Sequence, residues 1–230
     1  MLRPRHTVHL GGAVLSTLLL ASCASSEPHA PLQLEELQET LVEAEDIGVA
    51  GIVQENEWLT EATKLQPGMA QLQEVENNRQ CSDAIKRGNS MKIPAIAAAS
   101  RTFQEGVDQI AVGIYTVSDT ESNEVERIYS DILTHCGDNP TNPYSKDEFT
   151  ISELSSPEPE VTGLVVETRT IWGDATTTVV MQRQIGHHVV TAGAIGFMEP
   201  TLAQVFNEQV ARLESTLGND EGLLDRFRNS

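Results

Sequence analysis

The spacing of apolar positions changes several times along the chain, and each change predicts an element. Leu10 to Leu20 is an unbroken stretch of apolar and small residues. Residues 24–31, ASSEPHAP, then carry no periodicity at all. From Leu32 the period becomes helical: Leu34, Leu37, Leu41 and Ala44 share one face, with Glu35, Glu36, Glu39 and Glu43 largely around it and Gly48 as the expected stop. Residues 49–80 have no readable period; Trp58 and Leu59 are core candidates there, and Pro67-Gly68 reads as a turn. Two strands are expected after Cys81, at Ile96 to Gln104 and at Gln109 to Val117, the latter reading QIAVGIYTV.

The clearest helix follows. Ser118 and Glu121 have capping-box spacing. Val125, Ile128, Tyr129, Ile132, Leu133 and Cys136 then repeat on one face, with Gly137 at a C-cap position. After a Pro/Asn-rich loop, residues 138–143, strands are expected at Glu148 to Leu154, Gly163 to Trp172, Ala175 to Ile185 and His188 to Gly196. Gly173-Asp174 and Gly186-His187 supply hairpin signals between the last three. Pro200 opens a final helix with Leu202, Phe206, Val210, Leu213 and Leu217 inward, and the polar tail from Gly218 is expected to fray. The pattern is that of a single α+β domain, a largely antiparallel sheet with helices packed on one face.

The N-terminus changes the picture from fold to address. Arg3 and Arg5 precede an apolar stretch too short to span a bilayer, as in an export signal. Leu20-Ala21-Ser22-Cys23 resembles the bacterial lipobox, whose cysteine is diacylated, for example with palmitate, and becomes the new N-terminus. The alternative is an ordinary secretory signal cut nearby, with Cys23 incidental. On the lipoprotein reading, residues 1–22 are the signal peptide and 23–31 the lipidated cysteine and its tether. Residues 32–217 are then the domain, and 218–230 the tail. The tether reaches at most about 26 Å, at ~3.3 Å per residue. The chain would sit on the extracytoplasmic face of the cell membrane, and the two cysteines left over, Cys81 and Cys136, are the even number that a disulfide needs in an oxidising compartment.

Charge narrows the partners. The whole chain carries −19, and losing Arg3 and Arg5 from its 15 cationic residues leaves 13 − 34 = −21. So acidic a domain is a poor ligand for nucleic acid, whose affinity comes from neutralised phosphates. It is equally unsuited to lie on an anionic membrane, so the expected membrane contact is through the lipid alone.

Candidate chemistry is sparse. The chain has no G-x-S-x-G or S-x-x-K motif, no Gly-rich phosphate loop and no H-E-x-x-H. No catalytic residue, metal site or cofactor is expected. His187-His188 is the one histidine pair; neighbours on a strand face opposite ways, which suits a shared metal badly, and a hairpin turn is the simpler reading. Lys86, Arg87 and Lys92 could receive an anion, but read more simply as a solubilising loop. Trp172, beside a turn, is read first as core and second as an exposed contact.

The order of these parts is similar to a known family. An N-terminal helix ending near Gly48, a cysteine before a strand pair, a helix closing in THCGDNP, a strand meander and a final QVARLESTL helix together resemble the PknH-like extracellular sensor domain. That family occurs on actinobacterial receptor serine/threonine kinases and in free-standing lipoproteins. The resemblance covers residues 32–217, with Cys81 and Cys136 as its most specific points. It implies a cleft for an undefined ligand and no particular site residues. The family's domains often carry two disulfides, whereas this chain can form one, and it has neither a kinase region nor a transmembrane helix. The expected function is a non-catalytic, lipid-anchored binding or sensor-like module of the cell envelope, taking an unknown ligand or protein partner. The alternatives are a structural subunit of an envelope complex and a hydrolase with an unrecognised site.

Overall fold

The computed structural model describes residues 30–47, 53–59, 75–91, 93, 95–105, 108–118, 124–137, 140–142, 144–156, 158–196 and 199–228. In chain order the elements are α1 (Leu34–Thr40), β1 (Val53–Leu59), α2 (Arg79–Ser90), β2 (Ala95–Glu105), β3 (Asp108–Val117) and α3 (Glu124–His135). They continue with β4 (Glu148–Glu153), β5 (Thr162–Arg169), β6 (Ala175–Ile185), β7 (His188–Ile195) and α4 (Glu199–Arg228). The seven strands form one sheet in the order β1-β2-β3-β7-β6-β5-β4, and every neighbouring pair is antiparallel. After β3 the chain crosses to the far edge, lays down β4, and returns through β5 and β6 until β7 pairs with β3. The α+β class and the antiparallel sheet stand as read from the sequence.

The helices do not share one face, and here the reading is corrected. α1 and α4 cover one side, where Leu37, Leu202, Phe206 and Leu213 meet Ile110, Val112, Ile114, Val179, Met181 and Val190. α2 and α3 cover the other, where Ile85, Ile128 and Ile132 meet Ala98, Tyr115, Leu164, Val166, Val180 and Val189. The cause lies in the strands. Val179, Val180 and Met181 are consecutive and all buried, so both faces of the central strands need cover.

Several smaller expectations change as well. α1 is a two-turn helix that stops at Thr40, although Leu41 and Ala44 still pack into the α1–α4 core. α2 stands where a loop was expected, begun by Asn78, whose side chain accepts from the Cys81 N–H at 3.0 Å. The β5–β6 connection spans residues 170–174 rather than two, with Arg169 opposite Ala175 and Gly173 at φ 91°. Gly186-His187 does form a two-residue hairpin, Ile185 facing His188. Gly137 does not take the positive φ of a left-handed cap. α4 continues through Arg228, so the tail expected to fray is helical up to that residue. Gly48, Pro67-Gly68 and Glu121 lie outside the described residues, as do the side chains of Trp58 and Leu59.

Candidate functional site

Two features stand out: a polar knot that holds the N-terminal segment, and an apolar finger at the opposite end of the sheet. The knot begins at Leu32, the second residue after the described chain starts. Its N–H donates to Nε2 of His188 at 2.9 Å, and its carbonyl accepts from the Thr116 hydroxyl at 3.2 Å. Thr116 and His188 face each other across β3 and β7, so the segment is fastened to two inner strands at the end of the sheet where β3 finishes and β7 begins. His188 is fully buried, and its accepting Nε2 must be the unprotonated ring nitrogen.

Where α1 ends, its free carbonyls meet side chains from elsewhere in the fold. Arg101 on β2, 5% exposed, donates to the Val42 carbonyl at 2.6 Å and pairs with Glu43 at 2.8 Å. Gln209 on α4, wholly buried, donates to the Thr40 carbonyl and accepts from the Val42 N–H, both at 3.0 Å. Arg212 donates to the Leu41 carbonyl at 3.3 Å and pairs with Asp46 at 2.6 Å. These groups replace the hydrogen bonds that a longer helix would have made, which is why α1 can stop at Thr40. Sequence reading missed Arg101 and Gln209, since a polar residue at an inward helical position is the sole signal for Gln209 and none marks Arg101.

The finger is the β5–β6 hairpin. Glu167, Arg169, Ala175 and Thr176 near its tip are exposed, so it projects beyond the helices that cover the rest of the sheet. At the tip Trp172 is 84% exposed and Ile171 60% exposed. Tyr144, 79% exposed, stands in the loop before β4. Glu148 pairs with Arg169, which puts that loop at the same sheet end as the finger. Backbone N–H groups of Tyr144 and Ser145 both donate to the buried Asn142 side chain, and Lys146 pairs with Glu76, so the loop is braced.

The residues singled out from sequence fall in separate places. Cys81 and Cys136 are joined by a disulfide within the α2–α3 core, tying the start of α2 to the end of α3. Cys23 lies outside the described residues. Of the histidine pair, His188 serves the knot, and His187 Nδ1 lies 3.1 Å from the Val117 carbonyl. Among the described residues no group of three or more His, Cys, Asp or Glu side chains could hold a metal. Arg87 belongs to α2 and bridges to Asp131 of α3 at 2.8 Å; Lys86 lies on the same helix, and Lys92 is outside the described residues. Trp172 is exposed rather than a core residue, because its strand ends at Arg169 before reaching it. Burial pushes the phenols of Tyr115 and Tyr129 well above their ordinary range, Tyr129 also through its neighbour Tyr115. Both lie in the α2–α3 core, away from solvent.

The fold and its two features define an antiparallel α+β domain clad with helices on both faces. No family model and no curated protein matches this chain. Among solved structures it is similar to the crystal structure of the extracellular domain of PknH from Mycobacterium tuberculosis. The TM-score is 0.52, over 81% of this chain and 99% of that one, at 11% identity. The resemblance read from the order of elements therefore holds at the level of fold, as a distant structural likeness.

Proposed function

We infer that the chain is a lipid-anchored, extracytoplasmic binding module that performs no catalysis, held to the membrane through Cys23 and engaging a ligand or protein partner of the envelope. The observation that carries the binding role is the finger: among the described residues, Ile171 and Trp172 are large apolar side chains held out side by side at a hairpin tip rather than taken into the core. Large exposed apolar surface of this kind marks contact sites. The fold shared with an extracellular domain supports an extracytoplasmic setting. With the anchor at Cys23, the knot sets where the tether leaves the domain, nine residues further on. None of the described helices is long and apolar enough to cross a membrane.

Intact-mass analysis of the protein extracted from its native membrane tests the anchor. A chain beginning at Cys23 with acyl mass is expected, together with release of the Cys23→Ala protein from the membrane fraction. A soluble product cut at another bond refutes the anchor. Crosslinking in the same membrane tests the binding role, which fails if the lipidated protein yields no ligand or protein adduct.

A further inference from the structure

We propose that the β5–β6 finger is the docking element for a protein partner that stands on the side of the domain away from the membrane, and that the partner offers an apolar pocket rimmed by lysine or arginine. The proposal deepens the binding role and takes its orientation from the anchor.

Orientation comes first. Leu32 is fastened to Thr116 and His188, at the end of the sheet where β3 finishes and β7 begins. Ile185, the last residue of β6, pairs with His188 at that same end. β6 starts at Ala175, directly after the finger, and an eleven-residue strand is about 33 Å long at ~3.3 Å per residue. The tether therefore enters at one end of the sheet and the finger leaves from the other. Trp172 could touch the anchoring bilayer only if the domain tipped over toward it on its tether.

Charge opposes that pose and selects the partner. The chain carries −19 overall. Around the finger, Glu148, Glu167 and Asp174 are exposed carboxylates; the exposed cations there are Arg169 and Lys146, and Lys146 is paired with Glu76. An anionic surface would be repelled, whereas a basic rim would be attracted and would steer the encounter. The apolar tip supplies what the charges cannot. Trp172, Ile171 and Tyr144 are the residue types that anchor interfaces by filling a pocket, an aromatic ring alone burying roughly 150–250 Å². Hot aromatic anchors inside a charged rim form the usual anatomy of a specific contact.

The test uses the full lipidated protein in its native membrane. A photo-crosslinking amino acid replaces Asp174 at the finger or, as control, Glu153 at the far end of β4. The expected result is a discrete protein adduct from position 174 and not from 153. Mass spectrometry should place the crosslink in a partner segment rich in Lys or Arg. Combining the probe with Ile171→Ser and Trp172→Ser should cut the adduct at least tenfold without moving the melting temperature, since both side chains are exposed. Raising salt from 0.05 to 0.5 M should reduce it several-fold. Adducts to lipid, to glycan or to a second copy of this chain overturn the proposal, as does equal labelling from both positions. A second arm mixes the unmodified protein with neutral and with anionic phospholipid vesicles; a blue shift of tryptophan emission that Trp172→Ser abolishes would likewise overturn it. The anchor is scored separately by fractionation of Cys23→Ala, so its failure leaves the adduct result readable.

Discussion

Replacing Gln209 by leucine tests whether the polar knot holds the N-terminal segment in place. Gln209 is fully buried and bridges the Thr40 carbonyl and the Val42 N–H, each at 3.0 Å. Leucine fills nearly the same volume, so the change deletes two hydrogen bonds while leaving little cavity. Thr40 and Val42 are themselves buried, which leaves one backbone acceptor and one donor without a partner. Each such orphan costs about 1–3 kcal/mol, so Gln209→Leu should cost ~2–6 kcal/mol if the segment stays docked. If the segment opens to water instead, the loss is capped at the free energy of its docking. For a domain of this size 1 kcal/mol corresponds to about 2–4 °C, and the expected fall in melting temperature is roughly 4–24 °C. Urea unfolding measures the loss, and hydrogen exchange at the Val42 amide tells the two routes apart, since opening removes its protection. Stability within about 0.5 kcal/mol of the parent, with that amide still protected, would refute the reasoning.

Other features give equally direct expectations. Reducing Cys81–Cys136 removes a crosslink spanning 55 residues, worth about 4 kcal/mol in the chain-entropy account; thiol titration and thermal melts should show two thiols appearing with a large drop in melting temperature, and an unchanged melt would contradict it. Tyr115 and Tyr129 have phenol pKa values raised by burial above the ordinary 10.0. The fold therefore keeps its full stability below that range and loses it as pH climbs above, where the unfolded chain releases protons and the folded one does not. At pH 11, absorbance should show at least two of the three tyrosines un-ionised until the fold is lost; early ionisation of all three would contradict their burial. Gly163→Ala places a Cβ against the Val180 carbonyl oxygen where β5 and β6 approach, and calorimetry should register a loss near 3 kcal/mol, the upper end of the ~1–3 typical of overpacking; a silent substitution would show that the strands can separate freely.

Legibility in the sequence tracked how much apolar bulk an element carries. β3, α3, β6, β7 and α4 were readable, because runs such as QIAVGIYTV or the spaced Leu202, Phe206, Val210, Leu213 and Leu217 leave few alternatives. α2 was not, although Cys81, Ala84, Ile85 and Gly88 keep helical spacing and Asn78 caps it. Three of those four inward residues are too small to stand out beside Lys86 and Arg87. β1 reads VQENEWL, too polar to show a readable period, and becomes a strand by pairing with β2. The mistake about one-sided cover was avoidable in principle, since consecutive apolar residues in β6 mean two buried faces. The finger was half legible: Trp172 beside a glycine turn signalled exposure, but composition favoured the core. The knot was illegible, as hydrogen bonds from Gln209 and Arg101 to residues about 170 and 60 positions away leave no local trace.

The way Leu32 is fastened also decides how mechanical load would travel. A pull on the N-terminus meets first the two hydrogen bonds from Leu32 to His188 and Thr116, then two-turn α1, then the contacts of Arg101, Gln209 and Arg212. These give way one after another, as a seam unpicks, rather than all at once in shear. The strain enters on the α1–α4 side of the sheet, while the disulfide and both helices it joins lie on the opposite side. Tension on the tether would thus peel a short strap of chain and lengthen the reach of the domain before it disturbed the sheet, leaving the finger's shape intact at the far end.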